Sequence, residues 1–241
     1  PWITYGLIAT NVAVYLFLTL PLSTEQANPN NPVLLDYVRV LLDTLPQGIS
    51  PTELVQQISA YDLVVFGYWF RPVSPDLISL FTSMFLHAGF MHLAGNMLFL
   101  WIYGDNVEHR LGSVRFLAAY LATGVVATLF HSVFSFGSAL PVIGASGAIS
   151  GVLGFYFIWF PHNRVRVWVF FFPFIMNVIA FRARLVLGVY LLIDNVMPFL
   201  VTQGTGGGVA YGAHIGGFIG GRCCAWWMGR RDVSAAPQEY R

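Results

Sequence analysis

Apolar runs of about membrane length, separated by short polar breaks, dominate the chain, and runs of roughly 20 such residues predict transmembrane helices. The first is Ile3 to Leu20, ended by Pro21. Ser23 to Asp76 then holds no 18-residue apolar run and is broken by Pro29, Pro32, Pro46, Pro51, Pro72 and Pro75. Within it, Val33 to Leu45 carries apolar residues at 34, 35, 38, 41, 42 and 45, with Asp36, Arg39 and Asp43 on the other side. That stripe predicts a helix lying on a membrane surface. A second span begins at Phe81 or Phe90 and ends at Tyr103, its start blurred by the polar break His87 to Gly89. Phe116 to Phe134 is the third. The fourth, Ser146 to Phe160, is short and closed by Pro161, and the last runs from Ala210 to Met228.

Between the fourth and the last span two stretches compete. Val165 to Phe181 is apolar but contains Arg166, Pro173 and Asn177; Leu185 to Val201 holds Asp194 and Asn195. Arginine placement separates the readings. With six spans and the N-terminus inside, Arg110, Arg115, Arg164, Arg166, Arg182, Arg184, Arg230, Arg231 and Arg241 fall inside. Only Arg39 and Arg71 fall outside, amid acidic residues, which matches the positive-inside bias. Seven spans would move Arg182, Arg184 and the tail outside. The expectation is an all-α, polytopic membrane protein of six transmembrane helices. Its parts are a first helix over 1–22, a long outer loop over 23–76, a core over 77–228 and a cytoplasmic tail over 229–241. The conformation of 165–181 stays open between strand, hairpin and tilted helix.

Composition agrees with this reading. The 241 residues are 56% hydrophobic and 10% charged, against about 25% charged in soluble domains. All twelve basic residues are arginines, so the net charge of +1 says less than its distribution. Beginning at Pro1 rather than methionine, the chain reads as a fragment or a processed chain with no cleavable signal. Cys223 and Cys224 are adjacent, which disfavours a disulfide between them. No metal-ligand spacing surrounds them, so they read as packing residues.

The chemistry concentrates at Gly144-Ala145-Ser146-Gly147, where a loop meets the fourth helix. Helix N-termini offer unpaired N–H groups and positive dipole character to a developing negative charge. Serine is also an ordinary helix cap, and the stretch alone does not separate the two roles. In the expected topology the fourth and sixth helices both run from outside to inside, which puts Ser146 and His214 near one depth. His214, Gly217 and Gly221 share a helix face, and Gly147 and Gly151 repeat the small-residue spacing, so the two helices can pack closely. That would bring a hydroxyl within reach of an imidazole. His92 and Asn96, four residues apart on one face of the second helix, supply candidate oxyanion donors or interhelical hydrogen bonds.

Four motifs in order carry a family resemblance: His87-Ala88-Gly89-Phe90-Met91-His92-Leu93-Ala94-Gly95-Asn96; Gly104 with Glu108; Gly144-Ala145-Ser146-Gly147; and Ala213-His214-Ile215-Gly216-Gly217. From about Leu77 to Met228 the chain resembles rhomboid intramembrane serine proteases. The resemblance implies a six-helix core, a Ser146–His214 dyad, and an oxyanion site from His92, Asn96 and the Ser146 backbone N–H. It also implies water from the outer face and a substrate helix arriving from lipid past the fifth helix. The capping loop would be Thr202 to Val209, where Gly204, Gly206, Gly207 and Gly208 suit a mobile lid. Some members carry an aromatic four residues after the nucleophile. Here Ser150 stands there, so the histidine must be positioned by other groups, Tyr211 or Phe218 being the candidates. Trp69-Phe70-Arg71 is the nearest match to the Trp-Arg pair of the family's first outer loop.

Asp194 is a candidate third member beside His214 or a structural residue of the fifth helix, since intramembrane carboxylates are rare and functional. His87 and His131 read as structural or as lining a watery entrance, His109 and His162 as interfacial, and Glu108 as a helix-end hydrogen-bond partner. The absence of His-Glu-x-x-His disfavours a zinc protease. Ile102 breaks the Gly-x-Gly-Asp motif of aspartyl intramembrane proteases, and Ala148 breaks the soluble-hydrolase elbow. The expected activity is peptide-bond hydrolysis in or beside transmembrane helices, without metal or other cofactor. The expected partners are transmembrane-helix substrates and the lipid bilayer, not nucleic acid. The expected location is a bacterial inner membrane, with both termini cytoplasmic and the site opening outward. A catalytically silent helix-binding relative and a small transporter using Asp194, His214 and Asn96 are the alternatives.

Overall fold

In the computed structural model, residues 1–44, 50–171, 175–202 and 209–229 are described. The first helix, α1, runs Trp2–Thr24, past the expected stop at Pro21. It does so through a π turn at Tyr15–Thr19. Proline removes one backbone donor and crowds the carbonyl four residues back. The wider turn just before Pro21 relieves both, and the helix continues.

Three short helices follow: α2 (Leu34–Thr44), α3 (Pro51–Gln57) and α4 (Ala60–Tyr68). Part of the α2 stripe is covered by protein. Leu34 and Val38 are buried with Leu54, Ile58 and Leu63 in a small core of their own, although Leu35 and Leu42 remain exposed. Leu45 lies outside the described residues. Ser59 and Asp62 start α4 with a reciprocal capping box.

The second span is a bent pair. Helix α5 (Leu77–Thr82) continues as a 3-10 turn to Phe85. The chain then turns by 90° into α6 (Phe90–Leu111). Helices α7 (Ser113–Phe134) and α8 (Ser146–Trp159) come next. The open question at 165–181 resolves as a hairpin: β1 (Arg164–Phe171) pairs antiparallel with β2 (Ile175–Arg182), Arg164 opposite Arg182. The expected all-α class therefore gains a two-stranded sheet. Its alternating β-branched residues, Val165, Val167 and Val169, carried that signal. Helix α9 spans Ala183–Val201, and α10 spans Tyr211–Gly229.

By length and composition α1, α7 and α9 can each cross a membrane, and the bent α5–α6 pair makes a fourth candidate. Helices α8 and α10 do not qualify alone. The first has 14 residues, roughly 21 Å, and the second is interrupted by glycine, His214 and Arg222. Helix α8 is buried along most of its length, whereas α10 is buried on its glycine face and exposes Ile219, Trp226 and Trp227 on the other. Cys223 and Cys224 are exposed free thiols on α10, not packing residues.

Glu108 ties three helix ends together. Its carboxylate accepts from the Ile3 and Thr4 backbone N–H groups, the Thr4 hydroxyl and the Ser113 hydroxyl, at 2.6–3.0 Å. The end of α6 thus caps the start of α1, where orphan donors and the helix dipole favour a negative charge. This is the helix-end role expected of it.

Candidate active site

Helices α8 and α10 meet backbone to backbone. A Cβ at Gly217 would strike the Gly147 carbonyl oxygen, one at Gly221 the Gly151 carbonyl oxygen, and one at Gly154 the Phe218 carbonyl oxygen. Only glycine permits this approach. The two helices run side by side in the same direction. Ser146 meets His214 at one end, and Trp159 donates to the Ala225 carbonyl at 3.1 Å near the other.

The close approach puts Ser146 Oγ 2.8 Å from His214 Nε2. Ser146 is the first residue of α8, and Ala145 is its N-cap without a side-chain bond. The hydroxyl therefore faces the imidazole rather than capping the helix. The preceding loop is stitched to the segment before α5 and to the turn after it: Val142 N–H donates to the Phe70 carbonyl, Val73 N–H to the Ser138 carbonyl, and Gly144 N–H to the Ser83 carbonyl. Gly144 has φ +115°, and a Cβ there would press on the His92 ring at 2.8–2.9 Å. Two constraints, backbone conformation and space, thus require glycine at one position.

His92, Asn96, Ser146 and His214 all line one cavity of about 670 Å³, together with His131 and Tyr190. Ala88 N–H approaches His92 Nδ1 at 3.4 Å, which leaves Nε2 as the protonated, donating nitrogen. Asn96 gives one amide hydrogen to the His92 carbonyl at 2.8 Å and keeps the second for the cavity. His87, fully buried, stands edge-on to His92 at 5.0 Å, and its carbonyl accepts from the Tyr61 hydroxyl.

The positioning of His214 departs from expectation. Its Nδ1 lies 2.6 Å from Asn195 Oδ1, on α9. Asn195 is 1% exposed, whereas Asp194 faces outward, so Asp194 is not a third member of this group. Phe218, a candidate for holding the ring, packs on Phe157 at 5.5 Å instead. The expected lid glycines Gly204, Gly206, Gly207 and Gly208 lie outside the described residues.

A bundle of apolar helices with a serine and a histidine in contact at the wall of a cavity defines a polytopic membrane protein with a half-buried serine–histidine site. The Rhomboid domain model matches residues 74–231, about two thirds of the sequence, and the chain belongs to the rhomboid family. Rhomboid protein 1, mitochondrial, of Saccharomyces cerevisiae is 30% identical over 199 residues, which cover 75% of this chain and 54% of that protein. Rhomboid protease GluP of Bacillus subtilis is 34% identical over 190 residues, 78% of this chain and 32% of that protein. Presenilin-associated rhomboid-like protein A, mitochondrial, of Danio rerio is 29% identical over 212 residues, 78% of this chain and 50% of that protein. The chain spans about half or less of the length of these curated relatives.

Proposed function

We propose that this protein is an intramembrane serine endopeptidase that cleaves membrane-protein substrates in or beside their transmembrane helices. The observation that carries the reading is the 2.8 Å contact of Ser146 Oγ with His214 Nε2, both lining a cavity of about 670 Å³. His214 takes the serine proton as Oγ attacks the scissile carbonyl. The carbonyl electron pair moves to oxygen, facing the His92 ring N–H, the free Asn96 amide hydrogen and the Ser146 backbone N–H. His214 then gives the proton to the leaving amine, and water releases the acyl group. Substrate helices must unwind locally, because helical hydrogen bonds hide their carbonyls. Glycine and other helix-weakening residues near the cut favour this.

The proposal includes six spans, with α8 and α10 crossing beside one another, the outer segment over 23–76 and the core over 77–228. Arginine placement supports both termini on the inner side and a site opening outward. Loop 202–209 is the proposed cap, and no metal or cofactor takes part. The test is cleavage of a generic transmembrane substrate by the purified chain, with fluorophosphonate labelling alongside. Ser146→Ala and His214→Ala should abolish cleavage, and Ser146→Ala should abolish labelling. Equal cleavage by all three proteins refutes the proposal, and absence of both cleavage and labelling in the parent chain favours a silent helix-binding relative.

A further inference from the structure

The side-chain amide of Asn195 makes two contacts that together determine which way round it sits. Its Nδ2 donates to the Tyr190 carbonyl at 2.9 Å, and a carbonyl can only accept. The other end, Oδ1, must therefore face His214 Nδ1, 2.6 Å away. Oδ1 is itself only an acceptor, so the proton on that contact belongs to Nδ1. A neutral imidazole carries one ring proton, so Nε2 presents its lone pair to the Ser146 hydroxyl.

We infer that Asn195 is a positioning residue that locks His214 in the tautomer able to accept the Ser146 proton. The inference rests on the reading of Ser146 and His214 as a proton-sharing pair. When the proton moves from Oγ to Nε2, both ring nitrogens carry hydrogen. Asn195 Oδ1 then receives a charge-assisted hydrogen bond from Nδ1, stronger than the resting one. The burial of Asn195 keeps water from competing for that contact.

The local sequence explains why an asparagine on α9 can do this. Helix α9 contains a π turn at Leu192–Val196, two residues before Pro198. The same offset separates the π turn at Tyr15–Thr19 from Pro21 in α1. In each helix the proline's missing donor and its crowding of the preceding turn are absorbed by one extra residue. In α9 that residue advances the inward face from Asp194 to Asn195. The anchor sits on a neighbouring helix rather than on α10, so the proton-accepting state of His214 depends on how α9 is seated.

The test combines ring nitrogen NMR with kinetics on the full chain, labelled with ¹⁵N-histidine. His214 signals are assigned by their loss in His214→Gln. In the parent chain, and equally in Ser146→Ala, Nδ1 should carry the proton and Nε2 should be bare. Asn195→Leu should lose that single tautomer and at least about 10-fold in kcat, with KM nearly unchanged. Asn195→Asp, which keeps an acceptor at the same point, should retain the Nδ1 proton, and the outward-facing change Asp194→Asn should leave both readouts at parent values. A parent chain with the proton on Nε2 overturns the inference. So does a folded Asn195→Leu that keeps both the Nδ1–H tautomer and parent turnover. Should Asn195→Leu fail to fold, the parent and Asn195→Asp spectra decide. A parent chain without protease activity refutes the proposed function alone, because the tautomer is read from spectra.

Discussion

Gly217 lies against the carbonyl oxygen of Gly147, with no room for a single added carbon between them. The contact is what brings His214, three residues before Gly217, to Ser146, one residue before Gly147. Gly217→Ala should push α10 away from α8 and open the 2.8 Å contact. The expected result is loss of most cleavage and a destabilisation of about 1–3 kcal/mol, read by thermal unfolding in detergent. Gly6→Ala, at a position with nothing within 4 Å, is the control and should keep activity with equal or higher stability.

Gly144→Ala tests the loop before the serine. A side chain there faces both a positive φ and the His92 ring. Cleavage should fall by about 10²-fold, the scale of a lost oxyanion donor. The melting temperature should change far less than in Gly217→Ala, because the strain is confined to the loop.

Glu108→Ala should leave the donors of Ile3, Thr4 and Ser113 without their shared acceptor. A loss of about 3 kcal/mol is expected, since bonds to a buried charged group are costly to break. Thermal unfolding measures it. Turnover of the protein that remains folded should be close to that of the parent, because Glu108 lies at the opposite end of α6 from His92.

Pro198→Ala probes the π turn. With the missing donor restored, α9 can close into a regular α-helix, which turns Asn195 away from His214. Turnover should fall about as far as in Asn195→Leu, and the double variant should be no worse than either single one. Fully additive losses would separate the proline from the asparagine.

The segment between α1 and α5 supplies a pH prediction. Burial, aided by the negative charge of Asp62, pushes the Tyr37 hydroxyl up to about 12. The unfolded tyrosine ionises near 10, so the folded form holds the neutral phenol more firmly. This contribution is complete below about pH 10 and is lost as pH rises toward 12. Tyrosinate absorbance should therefore rise together with opening of the α2–α4 cluster, where Tyr37 packs on Phe66 at 5.0 Å. Tyr37→Phe should shift that opening to higher pH.

Much of this was legible in the residue pattern. Helix periodicity and glycine spacing pointed to the pairing of α8 with α10, because close backbone contact needs glycine wherever it occurs. The stripe of α2 was read correctly as a helix, but its residues divide: Leu34 and Val38 pack within the protein, while Leu35 and Leu42 stay exposed. Periodicity says that a face is buried, not against what, and Leu54 and Ile58 supply the cover. The hairpin at β1 and β2 showed its alternation, but short apolar runs suit strand and buried helix alike.

The sequence by itself determined the apolar architecture, the order of the motifs and the side chains available for chemistry, since these follow from composition and short-range spacing. Which polar residue of α9 meets His214 was decided only by tertiary structure. Counting by α-helical period from Leu187 and Tyr190 leads to Asp194. The π turn before Pro198 inserts one residue into that count, and Asn195 arrives instead. A single-residue slip of this kind depends on how a helix accommodates proline while packed against its neighbours, and that is a property of the folded bundle.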